Sequence, residues 1–365
     1  MHSAKAKLLT LLLAWAAAEI CRRMHMPVPW MLGPLLATAL ATLAGLPTCS
    51  SLRLRNGGQW VMGASLGLYF TPAIVTQLVN LWWAVLAAVA WSLALGMVYA
   101  DWLYRSCAGR LRGVPDESLR PSAYFAGAIG AASEMTLLAE KEGARTDLVA
   151  ASHSLRMLIV VLVMPFGMLL AKSWWSLEAV DVAPQASAMS FTVAGGAWLA
   201  LFTVAGGLTL KLLRLPNPWF LGPLLVAIGL AASETAPATV PTLLSNTAQL
   251  VIGVSLGVRF SPQFLHTAPR WLAHVALGTL GLIAACAAFA AFLAWVTGLH
   301  PATAILGTAP GGMTEMSITA KALQLGVPVV TALQVTRLVA VLILVRPAYH
   351  LWGIHRRDGA HSRQP

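Results

Sequence analysis

The stretch Pro29-Trp30-Met31-Leu32-Gly33-Pro34-Leu35-Leu36 returns in the second half of the chain as Pro218-Trp219-Phe220-Leu221-Gly222-Pro223-Leu224-Leu225. Just downstream, Asn56 to Pro72 (NGGQWVMGASLGLYFTP) matches Asn246 to Pro262 (NTAQLVIGVSLGVRFSP), keeping both glycines of Gly-x-Ser-Leu-Gly and the closing Phe-x-Pro. A third pair keeps the order: Gly130 to Met135 (GAASEM) against Gly311 to Met316 (GGMTEM), with Arg156 and Arg337 about twenty residues further on. Three blocks in one order at nearly constant offset imply a duplicated unit of roughly 180 residues.

The composition says where such a unit lives. Of 365 residues, 58% are hydrophobic and 10% charged, with a mean hydropathy of +0.73, against about 25% charged in an ordinary soluble domain. A soluble globule needs a charged exterior, whereas a protein dissolved in lipid is apolar outside as well as inside. A soluble enzyme is thereby excluded, and the expected class is an all-α, polytopic membrane helical bundle. At about 20 residues per spanning helix, the length holds roughly ten to twelve segments. The expected organisation is a first membrane repeat over residues 1–180, a second over 185–352 and a polar cytoplasmic tail over 353–365. Lys5 and Lys7 before the apolar run Leu8 to Ala18 resemble a secretory signal, but similar segments follow at once, so a retained first helix is expected.

Two apolar segments differ from the rest. Residues 122–139 carry Gly127 and Gly130, and residues 302–321 carry Pro310, Gly311 and Gly312, each followed by a glutamate, Glu134 or Glu315. Both read as broken or re-entrant helices, and irregular backbone at membrane depth must point inward, where protein or water satisfies it. About ten segments then remain as spans. That count puts Lys5, Lys7, Arg53, Arg55, the run Arg105 to Arg120, Lys211, Arg214, Arg259, Arg270, Arg356 and Arg357 on one side, the cytoplasm by the positive-inside rule, with both termini. Arg22 and Arg23 are exceptions, and the Lys172 to Asp181 loop on the far side is net acidic. The repeats are inverted under this count. Twelve full spans would make them parallel and leave the arginines harder to place.

The basic excess, 24 Lys+Arg against 13 Asp+Glu for a net charge of +11, lies singly or in pairs between apolar runs, which argues topology and not direct nucleic-acid binding. The four cysteines, Cys21, Cys49, Cys107 and Cys286, are far apart with no C-x-x-C spacing. No histidine cluster, H-E-x-x-H or P-loop is present, and the Gly-x-Ser-Leu-Gly blocks do not stand in the strand-helix context that a nucleophile elbow needs, so neither a metal nor any other cofactor is expected, nor ATP hydrolysis.

The chemistry-bearing candidates are Arg156 and Arg337, placed near mid-span, with Glu134 and Glu315 as their natural partners. Together with Pro310, Gly311 and Gly312 they define the expected substrate or ion site at the repeat interface, where duplicated transporters bind. Two Glu–Arg pairs that only lock each repeat are the structural alternative. Helix packing or hinge roles fall to Trp30, Gly33, Pro34, Trp219, Gly222 and Pro223, and to the small-residue pairs Gly63, Gly67, Gly253 and Gly257. The expected partners are the lipid bilayer and a small solute or ion of either sign, with homo-oligomerisation open.

The duplicated Pro-Trp-x-Leu-Gly-Pro-Leu, the Gly-x-Ser-Leu-Gly-x-x-Phe-x-Pro blocks and Pro310-Gly311-Gly312-Met313-Thr314-Glu315-Met316 together resemble the AbrB-type bacterial membrane family with internal duplication, over about residues 8–350. The resemblance implies an inner-membrane location and duplication. It also carries two inherited labels, ammonia monooxygenase and regulator of gene expression. The first finds no metal-site support in these residues, so no enzyme is expected. The second borrows its name from a small soluble DNA-binding protein with a swapped β-hairpin domain that is not visible here. The first copy departs from the Pro-Gly-Gly pattern, reading Ile129-Gly130-Ala131-Ala132-Ser133-Glu134-Met135, which makes Glu315 the stronger candidate. Two functions follow as expectations: a secondary transporter or exporter, or a membrane regulator or sensor acting indirectly on gene expression.

Overall fold

The computed structural model describes residues 2–110, 115–175, 192–260 and 268–361, and among them every regular element is a helix. The order is α1 (His2–Arg23), α2 (Pro29–Leu43), α3 (Leu52–Gly67), α4 (Pro72–Asn80), α5 (Trp82–Cys107), α6 (Asp116–Gly127), α7 (Ala132–Lys141), α8 (Thr146–Trp175), α9 (Val193–Leu212), α10 (Pro218–Ala232), α11 (Thr242–Gly257), α12 (Pro269–Thr297), α13 (Pro301–Thr308), α14 (Met313–Leu323) and α15 (Val327–His361). Side chains of the expected tail from residue 352 onward lie outside the described residues. So do residues 111–114 of the basic run and the acidic loop beyond Trp175.

Helices α5, α8, α9, α12 and α15 are long and apolar enough to cross a membrane, and α3 with α4, bent by 87° across the break between them, makes a sixth span if counted as one. This is fewer than the ten that counting apolar segments gives, and the reason is length. Helices α2 and α10 have 15 residues and α3 and α11 have 16, about 22–24 Å at 1.5 Å per residue against a hydrocarbon core of about 30 Å. α1 has the length but carries Lys5, Lys7, Glu19, Arg22 and Arg23. The short helices form the centre. Met31, Leu32 and Leu35 of α2, Met62 and Leu66 of α3, Phe220 and Leu224 of α10 and Ile252 and Leu256 of α11 share one buried cluster with Met316 of α14 and Val160 of α8. Leu8, Trp15, Leu86, Trp198, Leu201, Leu277 and Trp295 on the outer helices are exposed, as a lipid-facing surface requires.

The central contacts give the direction of each helix. Gly63 lies against Phe220 and Leu224, and Gly67, one turn on, against Leu224, Ala227 and Ile228, so α3 and α10 run in the same sense. Gly253 lies against Met31 and Leu35, and Gly257 against Leu35, Thr38 and Ala39, so α11 and α2 do likewise. Between α3 and α11 the order reverses, because Gly58 faces Ala248 and Ile252 while the Ser245 hydroxyl reaches Met62 Sδ at 3.6 Å. Each of the two short helices therefore opposes its own duplicate, the relation expected of inverted repeats. A Cβ on Gly63 or Gly257 would run into backbone carbonyls of the facing helix, so only glycine permits the approach. Gly33 and Gly222 seat α1 and α9 in the same way, against Ala17–Ala18 and Gly206–Gly207.

Proline opens α2 and α10, where its fixed φ suits the first turn, and Val28 and Asn217, both at φ 48°, turn the chain into them. Pro34 and Pro223 sit buried inside the helices, and the Thr38 hydroxyl donates to the Pro34 carbonyl at 2.6 Å.

Candidate functional site

Both segments expected to be broken are broken. α6 stops at Gly127 and α7 starts at Ala132; α13 stops at Thr308 and α14 starts at Met313, with Gly312 as its N-cap. A helix end leaves unpaired carbonyls and a helix start leaves unpaired N–H groups, so each break confronts a negative and a positive dipole end.

The carbonyl ends are capped by the arginines. Arg156 of α8 donates to the Ala126 carbonyl at 3.0 Å and the Ala128 carbonyl at 2.9 Å. Arg337 of α15 donates to the carbonyls of Ala309 and Gly311, the latter at 2.8 Å. Each arginine has a helper three residues earlier. His153 Nδ1 lies 2.8 Å from Arg156 Nη2 and its Nε2 2.9 Å from the Phe125 carbonyl, which assigns the Nε2–H tautomer. Gln334 accepts from Arg337 at 2.6 Å and donates to the Leu306 carbonyl at 2.8 Å. These two helpers occupy equivalent positions of the duplication and were missed in the sequence, since a histidine and a glutamine do not read as the same residue. Their common spacing from the arginines was the signal available.

The expected Glu–Arg pairing does not occur: among the described residues no ion pair joins Glu134 or Glu315 to Arg156 or Arg337. The physical reason is that the break supplies two opposite ends, and each charge serves its own. Glu134 and Glu315 stand third in the first turns of α7 and α14, where a carboxylate complements the positive end. Glu315 folds back so that its Oε2 occupies the space a Cβ on Gly312 would take. Glu315 is buried, 6% exposed, and Glu134 only half-buried. A guanidinium at mid-membrane costs about 2.5–3.5 kcal/mol, and charged hydrogen bonds return about 1.5–3 kcal/mol each. The three bonds of Arg337 are therefore enough to hold it there.

All seven candidates, Glu134, Arg156, Pro310, Gly311, Gly312, Glu315 and Arg337, line a single cavity of about 760 Å³. Trp219 lines it too, with Asn56 and Gln59 of α3 and three basic residues, Arg55, Lys211 and Arg259. No carboxylate among the described residues forms an ion pair with those three. Basic side chains outnumber the two carboxylates on this wall and leave it net positive.

A family model described as transition state regulatory protein AbrB matches residues 30–353, which includes both breaks and both arginines. The chain belongs to the AbrB family. Two relatives span most of it. "Uncharacterized protein YhjN" of Bacillus subtilis (strain 168) is 27% identical over 313 residues, 83% of this chain and 79% of the relative. "Putative regulator AbrB" of Escherichia coli (strain K12) is 27% identical over 325 residues, 87% of this chain and 88% of the relative. The family's description speaks of regulation; the described residues of this member contain no strand.

Proposed function

We propose that the protein is a secondary transporter or exporter of a small anionic solute in the bacterial inner membrane, with its termini in the cytoplasm. The observation that carries this reading is the single cavity into which both helix breaks open, a duplicated site between inverted helices of the kind transporters use. The sign of the solute follows from the wall, where Arg55, Arg156, Lys211, Arg259 and Arg337 outnumber Glu134 and Glu315. Arg55, Lys211 and Arg259 on its wall support placing this cavity on the cytoplasmic side.

The name of the Escherichia coli relative favours a second reading, a membrane regulator that signals through a partner without moving solute. Thermal unfolding in detergent separates the two. Acetate, succinate, citrate and phosphate are compared with ammonium and amines at matched ionic strength. The transport reading expects a saturable upward shift with anions that is lost in Arg55→Gln and Arg259→Gln, since a ligand stabilises in proportion to occupancy. Shifts with the cations alone would overturn the anionic class. No shift with any solute would move the regulator reading ahead.

A further inference from the structure

A second cavity, of about 510 Å³, lies at the other end of α3 and α11. Its wall repeats the first by inverted symmetry. Where cavity one has Asn56 and Gln59 of α3, cavity two has their duplicates Asn246 and Gln249 of α11; where cavity one has Pro218 and Trp219, cavity two has Pro29 and Trp30. Two of the three basic positions do not survive the duplication, because Arg55 corresponds to Ser245 and Arg259 to Tyr69, while the third, Lys211, corresponds to Arg22, which pairs with Glu19 and does not line cavity two. A cation stands at that spot nonetheless. Lys321, from the end of α14, donates to Ser245 Oγ at 3.1 Å and to Ser65 Oγ at 2.5 Å, with its ammonium 6.0 Å from the centre of the Tyr69 ring. Its own duplicate in the first repeat is Glu140, so the charge is supplied by a different element and not inherited by symmetry. Hydroxyls, amides and an aromatic face surround this ammonium, and no carboxylate is among the described residues lining the cavity. A positive charge in a polar cavity without a counter-charge is built for an anion.

We propose that the Lys321 cavity is a second solute station on the opposite face of the membrane, taking the same small anion as the first. This rests on the transport reading above. The two stations are close. Gln59 and Ser65 are six residues apart on α3, as are Glu315 and Lys321 on α14, which is about 9 Å of helix in each case. Both helices run from one station to the other, and the buried side chains of Val61 and Met62 fill the partition. Exchange of the solute between stations then needs only a shift of this short partition.

Sided labelling tests the proposal. In a chain whose four native cysteines are changed to alanine, Ser133→Cys reports cavity one and Thr239→Cys cavity two. Right-side-out and inside-out vesicles are treated with a membrane-impermeant maleimide, with and without succinate. The expected result is labelling of the two positions from opposite faces. Succinate at ten times its dissociation constant slows both by about tenfold. Lys321→Met removes the protection at Thr239→Cys alone, and Lys321→Arg retains it. Labelling of both positions from one face overturns the proposal. Protection at Thr239→Cys that survives Lys321→Met overturns it as well. If succinate and the other carboxylates protect Ser133→Cys but not Thr239→Cys, only the second station falls; if they protect neither, the anionic transport reading falls with it.

Discussion

Arg337 and Gln334 should behave as one capping device, and Arg337 and Glu315 as two independent residues. Arg337 holds the carbonyls of Ala309 and Gly311 and the Gln334 side-chain oxygen, while Gln334 also donates to Ala309 at 3.2 Å. Replacing Arg337 by glutamine leaves Ala309 one donor but strips Gly311 and Gln334, at about 1–3 kcal/mol for each buried acceptor. Removing the charge itself recovers about 2.5–3.5 kcal/mol of membrane cost. The single variant should therefore lose no more than about 3.5 kcal/mol, at most the lower part of the about 3–5 kcal/mol range of a severed buried ion pair. A double-mutant cycle isolates the pair terms. Gln334→Ala with Arg337→Gln should couple by about 1.5–3 kcal/mol, the worth of one charge-assisted bond. Glu315→Gln with Arg337→Gln should be additive within about 0.5 kcal/mol. Reversible unfolding in mixed micelles, followed by circular dichroism, gives all four corners of each cycle. A larger coupling to Glu315 than to Gln334 would refute the assignment of the arginine to the helix end.

Three further outcomes follow from the same geometry. In the first repeat, His153→Leu should destabilise by about 1–3 kcal/mol by orphaning the Phe125 carbonyl, whereas His153→Gln, which copies Gln334, should recover most of it in the same assay. Gly257→Ala presses a methyl onto Thr38 and the Leu35 carbonyl and should cost about 1–3 kcal/mol, while Gly229→Ala, facing open space, should be neutral or stabilise by up to about 1 kcal/mol; melting temperatures in detergent rank the two. Anion affinity at cavity one should weaken with added sodium chloride, and the salt dependence should flatten in Arg55→Gln and Arg259→Gln, as titration calorimetry would read.

Much of this architecture is legible in the sequence because the duplication compares the chain with itself. Pro-Gly-Gly before Glu315 marks a break as plainly as any motif, and the weaker Gly130 break is legible mainly by its alignment with the stronger one. What misleads is pairing by charge alone. Opposite charges near one break invite an ion pair, but the break creates carbonyl and amide ends with a prior claim on each of them. Hydropathy registers the composition of α2, α3, α10 and α11 and not that they stop at 15 or 16 residues, so their shortness is legible only in the structure. Lys321 is invisible by either route, because its place opposite Ser65 and Ser245 depends on α14 lying across two helices from different repeats.

The interleaving of α2 with α11 and α3 with α10 bears on how the protein is made. Neither half covers these faces from within: Met31 and Leu35 lie against Gly253, and Gly63 against Phe220 and Leu224. At about 5–20 residues per second, the ribosome needs roughly ten to forty seconds to deliver the second half after the first. Through that interval the first half waits in the bilayer with its glycine-lined faces against lipid, a window in which an insertase or chaperone has something to hold.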